Sequence, residues 1–174
     1  MESIFYARLP DDIVVVRIIG PGSFQNSPGL TEIVDIICTG DAWPQFVFDL
    51  GKCTTMDSTF MGTLASMAMG QKKGRGTAPL TVNTSAHVKQ QLDLIGLKFI
   101  LDIREADDTT PGDLGNSSTE FAGVPPADMS KLERTVMMIE AHERLLDVDE
   151  ANEIKFKNVI DSLKQSLERT RNQE

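Results

Sequence analysis

Apolar runs and amphipathic stretches alternate through the first hundred residues. Ile4 to Leu9 and Ile13 to Ile19 read as two strands joined by the turn composition Pro10-Asp11-Asp12. Gly20-Pro21-Gly22-Ser23 is expected to break the second strand. Leu30, Ile33, Val34, Ile37 and Cys38 then recur at helical spacing up to Gly40. Gln45 to Leu50 reads as a buried strand. Phe60, Met61, Leu64, Ala65 and Met67-Ala68 mark a second helix that ends in the glycine-rich Gly70 to Gly76. Pro79 to Val82 predicts a short strand. Asn83 or Thr84 is expected to cap a third helix carried by Val88, Leu92 and Ile95 and stopped by Gly96. Phe99-Ile100-Leu101 predicts a last strand. Strands alternating with helices imply a largely parallel sheet with right-handed crossovers, made mixed by the antiparallel hairpin at the start.

The pattern changes after residue 104. Residues 105–127 carry five acids (Glu105, Asp107, Asp108, Asp113, Glu120), no Lys or Arg, and Pro111, Gly112, Gly115, Gly123, Pro125 and Pro126. Like charge with few apolar side chains cannot bury a core, so this stretch reads as a linker. In residues 128–174, Leu132, Val136, Ile139 and Leu146 form one stripe. Asp147-Val148-Asp149-Glu150 interrupts it, and Ile154, Phe156, Val159-Ile160, Leu163 and Leu167 resume it at steps of three and four. This predicts a helical hairpin jointed near Asp147–Asp149. The division is a domain over 1–104, a linker over 105–127 and a hairpin over 128–174. The hairpin's nine large apolar residues (Leu132, Val136, Ile139, Leu146, Ile154, Phe156, Ile160, Leu163, Leu167) are expected to be largely buried. The expected cover is a second copy, in a two-fold homodimer through the C-terminal helices. The competing arrangement lays the hairpin on the sheet face that the core helices leave open.

Charge and composition narrow the function. The 174 residues carry a net charge of −9 with no basic tract, which argues against sequence-independent nucleic-acid binding. The apolar runs are too short for a membrane span of ~20 residues. Met1-Glu2-Ser3-Ile4 lacks the basic start of a signal peptide, and Cys38 and Cys53 are too few for a disulfide framework. A cytosolic location is the expectation. No metal or cofactor is expected, since two His residues argue against a Cys-His zinc site and Asp49 with Asp57 reads as a cap and a turn. Gly20-Pro21-Gly22-Ser23 lacks the Gly-Lys-Ser/Thr end of a phosphate-cradling loop. Neither His87 nor His142 has a nucleophile beside it in sequence, so a catalytic triad is not expected. Lys72-Lys73-Gly74-Arg75 suits the end of a helix, and Cys53 beside Lys52 is a packed cysteine or a reactive thiol.

The segment richest in chemistry runs from Asp49 to Gly62. A strand ends, a polar loop follows, and a helix begins at Asp57-Ser58. Loops at the carboxyl ends of strands are the usual functional edge of an open α/β sheet. Asp57 or Ser58 can serve as an N-cap. Ser58 can also serve as a phosphoacceptor, its hydroxyl exposed at a helix start whose dipole tolerates a phosphate.

Residues 4–104 resemble a STAS domain, the domain of anti-sigma factor antagonists. The likeness rests on Phe46-Val47-Phe48-Asp49-Leu50, the helix start Met56-Asp57-Ser58-Thr59, the helix body Leu64-Ala65, the strand end Thr81-Val82-Asn83, and Leu92-Asp93-Leu94-Ile95-Gly96-Leu97. It implies an α/β fold with a mixed, mostly parallel sheet of four to five strands, its helices wound mainly on one face. It also implies a bacterial, non-enzymatic regulator. Ser58 holds the position that many members offer to a partner kinase; Asp57, Thr59, Phe60, Asn83 and Thr84 would lie in the partner surface. The implied partners are an anti-sigma factor acting as a serine kinase and a phosphatase that reverses it. The family pattern has Gly two residues after the serine, where this chain has Phe60; Gly62 follows two positions later.

Overall fold

The computed structural model describes residues 3–105, 114 and 118–173. Strands β1 (Ser3–Leu9) and β2 (Ile13–Gly22) form the opening antiparallel hairpin. Its turn places Asp11 and Asp12 at φ 61° and 58°, the left-handed region that short polar residues tolerate best. Helix α1 (Ser27–Ile37), strand β3 (Gln45–Met56), helix α2 (Ser58–Arg75), strand β4 (Leu80–Val82) and helix α3 (Ala86–Leu94) follow. A short 3-10 turn at Leu97–Phe99 leads to β5 (Asp102–Ile103). Strand β6 (Ala122–Gly123) precedes helices α4 (Lys131–Val148) and α5 (Asn152–Arg171). The sheet order is β5-β4-β3-β2-β1-β6, parallel from β2 through β5 and antiparallel at β1 and β6.

The expected α/β architecture is present, with six strands in place of the expected four to five because β6 adds to the β1 edge, and with four further differences of physical interest. Strand β2 is not broken at Gly20. It runs on to Gly22, because Gly20 at φ 82° absorbs a register shift that keeps it paired with β3. Strand β3 likewise continues past Leu50 to Met56, pairing Lys52, Cys53 and Met56 with Ile19, Gly20 and Gly22. The cap of α3 is Ser85, whose side chain accepts from Val88 N–H, and not Asn83 or Thr84; Asn83 turns the chain at φ 60°. The apolar Phe99-Ile100-Leu101 belongs to the turn before β5, leaving Phe99 exposed, and the last parallel strand is the less apolar Asp102–Ile103.

Strict alternation divides the sheet into two faces. Val14, Val16, Ile18, Phe46, Phe48 and Leu50 point toward the helices, where they meet Leu30, Phe60, Leu64, Val88 and Leu92 in one buried core. Val15, Val47, Leu80 and Val82 point the other way into a smaller cluster. Two described residues of the acidic stretch cover part of that second face. Leu114 and Phe121 pack against it, the Leu114 carbonyl accepts from Arg17, and the Arg17 guanidinium lies 4.1 Å from the centre of the Phe121 ring. Part of residues 105–127 is thus built into the sheet: β6 pairs Ala122 and Gly123 with Tyr6 and Phe5, and Val124 N–H reaches the Ile4 carbonyl.

The hairpin folds onto its own chain, against α2 on the helical side and away from the open sheet face. Helix α4 begins with a complete capping box between Ser130 and Glu133. It crosses α2 so closely at Gly62 that a Cβ there would stand 2.3 Å from the Ala141 carbonyl oxygen. Ile139, Ala141 and Leu145 are buried in the contact, and Ile160 lies beneath α5. Leu132, Val136, Leu146, Phe156, Leu163 and Leu167 are half-buried, whereas Ile154 is 89% exposed, contrary to the expectation for it. The stripe that suggested a second copy is used inside the chain. The joint, Asp149 to Ala151, is pinned by Asn152, whose amide donates to the carbonyls of both Leu145 and Ile95 at 2.7 and 3.0 Å.

Candidate functional site

The candidate site is the junction of β3 and α2 on the helical side of the sheet. Three clamps fix it. Gln91 of α3 exchanges hydrogen bonds with the Met56 backbone: its side-chain oxygen accepts from Met56 N–H, and its amide donates to the Met56 carbonyl. Asp57 caps α2, with one carboxylate oxygen accepting from Phe60 N–H at 2.8 Å. Its other oxygen accepts from Phe24 N–H at 2.7 Å, and its own N–H donates to the Gly22 carbonyl, so the same residue holds the loop entering α1. The third clamp is steric. The fully buried Phe60 ring fills the space above Gly22, where any Cβ would come within 2.5 Å of it. The residue that departs from the family pattern is therefore paired with a glycine that leaves room for it.

Ser58 is the first residue of α2, just after its cap and just past the carboxyl end of β3. Its hydroxyl is half-buried, 2.8 Å from His142 Nε2 on α4. The opposite ring nitrogen, Nδ1, lies 2.7 Å from the Met138 carbonyl, which can only accept. The proton of a neutral ring therefore sits on Nδ1, and Nε2 accepts from the serine. His142 itself is 2% exposed, with the Phe156 ring edge-on at 5.3 Å. Sequence separates Ser58 from His142 by 84 positions, and α4 brings them together. The readable signal was a polar residue on the inward stripe of α4, between Ile139 and Leu145.

The other expected surface residues divide. Asp57 is partly exposed, Asn83 is exposed and Thr84 half-buried, whereas Thr59 and Phe60 are buried. Asn83 belongs to a second constellation on the open face. There its amide donates to Asp49 at 3.0 Å while Arg17 donates to the same carboxylate at 2.8 Å. Burial alone would raise the pKa of Asp49. The Asn83 and Arg17 hydrogen bonds, Gly51 N–H and the Arg17 charge outweigh it and hold the carboxyl below its usual range. A shallow cavity of about 370 Å³ lies among Arg17, Asp49, Gly51, Lys52 and Asn83. Asp49 is thus committed to that face and contributes no charge beside Ser58. Cys53 is buried, and burial pushes its thiol up, the reverse of an activated nucleophile. Lys72, Lys73 and Arg75 occupy the last turn of α2, where Arg75 pairs with Asp12 at 2.9 Å. Among the described residues, no group of three or more His, Cys, Asp or Glu side chains is arranged to hold a metal, and no helix is long and apolar enough to cross a membrane.

The strand–loop–helix junction and the mixed sheet define a class, and the comparisons agree. The STAS domain family model matches residues 6–109, so the chain belongs to the STAS domain family. A provisionally designated anti-sigma factor antagonist from Thermotoga maritima is similar in structure. It is 17% identical with a TM-score of 0.51, over 59% of this chain and 86% of the other. A sulfate transporter family protein from Wolinella succinogenes is 21% identical with a TM-score of 0.46, over 57% of this chain and 82% of that one. An uncharacterised protein from Shewanella loihica with a SpoIIAA-like fold is 9% identical with a TM-score of 0.46, over 63% and 90%. The curated proteins searched contain no match.

Proposed function

We propose that the protein is a partner switch of the anti-sigma factor antagonist kind in a bacterial cytoplasm, non-enzymatic, and controlled by phosphorylation of Ser58. The observation that carries this reading is the place of Ser58, at the first position of α2 beyond the carboxyl end of a central strand, in a chain of the STAS family. The unmodified domain binds an anti-sigma factor that is also a serine kinase, through the surface around Asp57, Thr59, Phe60, Asn83 and Thr84. A phosphatase restores the serine. Of that surface Asn83 is exposed and Asp57 and Thr84 are half-buried; Thr59 and Phe60 act from beneath it by holding the helix start. Phosphate adds about −1.5 to −2 charges at neutral pH, next to the Asp57 carboxylate. A partner surface fitted to a neutral hydroxyl then meets a desolvated dianion, a mismatch of ~2–5 kcal/mol in binding.

The test is the mass of the protein isolated from its native host. A single phosphoryl group on the peptide containing Ser58, absent from Ser58→Ala, supports the switch; an unmodified serine under all growth conditions defeats it. Ser58→Ala preserves the fold, because the cap is Asp57. One observation favours a second reading, a STAS scaffold that is never phosphorylated: the hydroxyl is already engaged by His142. In that case co-purifying proteins are the same for wild type and Ser58→Asp.

A further inference from the structure

The hydroxyl proposed as phosphoacceptor lies beneath another part of the same chain. Helix α4 contacts the first turn of α2 through a polar bond, Ser58 to His142, and through a backbone-to-backbone approach one turn later, Gly62 to Ala141. The space at Gly62 admits no added atom, and His142 is sealed by its own helix and by Phe156. We propose that the α4–α5 hairpin is an intramolecular occupant of the partner surface at the start of α2, and that a phosphoryl group on Ser58 drives it off. This rests on the phosphosite reading and adds what phosphorylation does to the chain itself.

The chemistry of the contact gives the direction. A kinase moves the terminal phosphoryl group of a nucleoside triphosphate to Ser58 Oγ. The O–P bond forms, the bond to the departing nucleoside diphosphate breaks, and the hydroxyl proton is lost. That proton is the one donated to His142 Nε2. In its place stands a group with three acceptor oxygens facing a ring nitrogen that, with Nδ1 committed to Met138, is itself an acceptor. Bulk opposes docking as well, since 2.8 Å separates Oγ from the ring and α4 cannot slide closer elsewhere without striking Gly62. Two turns further along α2, around Ser66, α4 presents Glu140, Glu143 and Asp147, with Arg144 bonded to Asp147 and Lys164 of α5 bonded to Glu143.

The experiment uses full-length protein carrying phosphoserine at position 58, installed during translation so that no kinase is needed, and compares its amide hydrogen exchange with that of the unmodified chain. Protection across α4 and α5 is expected to fall by ~10-fold or more while the amides of β2 and β3 keep theirs. Unchanged protection overturns the proposal. So does increased protection, which would mean that a protonated His142 clasps the phosphate. Gly62→Leu is the phosphate-free comparison: a wedge that lifts α4 should give the same exchange pattern with the serine intact. If the wedge exposes the hairpin and the phosphate does not, the proposal fails. Should the wedge also loosen β2 and β3, the phosphoserine comparison alone decides. Failure here leaves Ser58 as a phosphosite untouched, whereas an unphosphorylated serine in the native host ends that reading without altering this measurement.

Discussion

The sheet with its three helices and the α4–α5 hairpin are held by different means. In the domain, side chains such as Val15, Ile18, Leu30, Phe46, Phe48, Leu50, Phe60, Leu64 and Leu92 are fully buried, and most interlock in one apolar cluster. In the hairpin, only Ile139, Ala141, His142, Leu145, Asn152 and Ile160 are buried over its two helices. Two of those six are polar, and each reaches across to the domain: His142 to Ser58, Asn152 to the Ile95 carbonyl. Apolar burial is non-directional and grows with area, whereas a buried polar bond is costly to leave unmade. The domain therefore coheres by area, and the hairpin by a few specific contacts that a small chemical change can remove.

The sharpest way to break this contrast is a truncation in each region. Phe48→Ala removes a fully buried ring and should lower global stability by ~3–5 kcal/mol, seen as a shift of the whole urea transition. Asn152→Ala leaves the Ile95 carbonyl without its donor, while the Leu145 carbonyl keeps Asp149 N–H, and should cost ~1–3 kcal/mol. Its loss should appear as faster amide exchange in α4 and α5 with the sheet unaffected. If Asn152→Ala shifts the whole transition in step with Phe48→Ala, the two regions form one cooperative unit and the contrast fails. A smaller effect tests the open face. Because Asp49 titrates below its unfolded value of ~3.9, it contributes stability above that pH and loses it as pH falls through its folded pKa. Urea midpoints measured downward from about pH 6 should therefore fall more steeply for wild type than for Asp49→Asn. The smallest effect is expected at Ile154. Replacing this exposed residue by Lys should leave stability within ~0.5 kcal/mol. The same variant in sedimentation velocity serves the homodimer expectation: a wild-type dimer dissociated by I154K places the two-fold contact on the outer face of α5, and one that survives I154K places it elsewhere.

Much of the architecture was legible because period-2 and period-3.6 patterns are local. Phe46-Val47-Phe48 and the stripe through Leu64 and Ala68 lie where their spacing put them. The errors fall where local pattern and long-range pairing compete. The glycines of Gly20-Pro21-Gly22 are turn signals in isolation, yet parallel pairing with β3 keeps them in a strand. By composition the acidic stretch reads as a linker, but Phe121 and Leu114 have a sheet face to cover and Gly123 an edge to join. The position of Ser58 was readable from the strand–loop–helix order. His142 shows locally only as a polar residue on the inward stripe of α4, and nothing local reports that it meets Ser58 across 84 positions. Gln91, which fixes the Met56 loop from α3, left no local signal either.

The short strand β6 has one more consequence. It fastens the chain to β1 at Gly123, Val124 N–H extends the hold to Ile4, and α4 begins at Lys131, so the free tether is at most residues 125–130 and spans at most about 20 Å when extended. A hairpin lifted from α2 stays within that radius and returns as if present at millimolar local concentration. If the hairpin occupies the partner surface as proposed, any partner in solution competes against this resident. If the hairpin is docked ~99% of the time, an incoming protein binds ~100-fold more weakly than to the bare surface, and release of the hairpin returns that factor. On that reading, the length of six residues sets how tightly an external partner must bind to be heard.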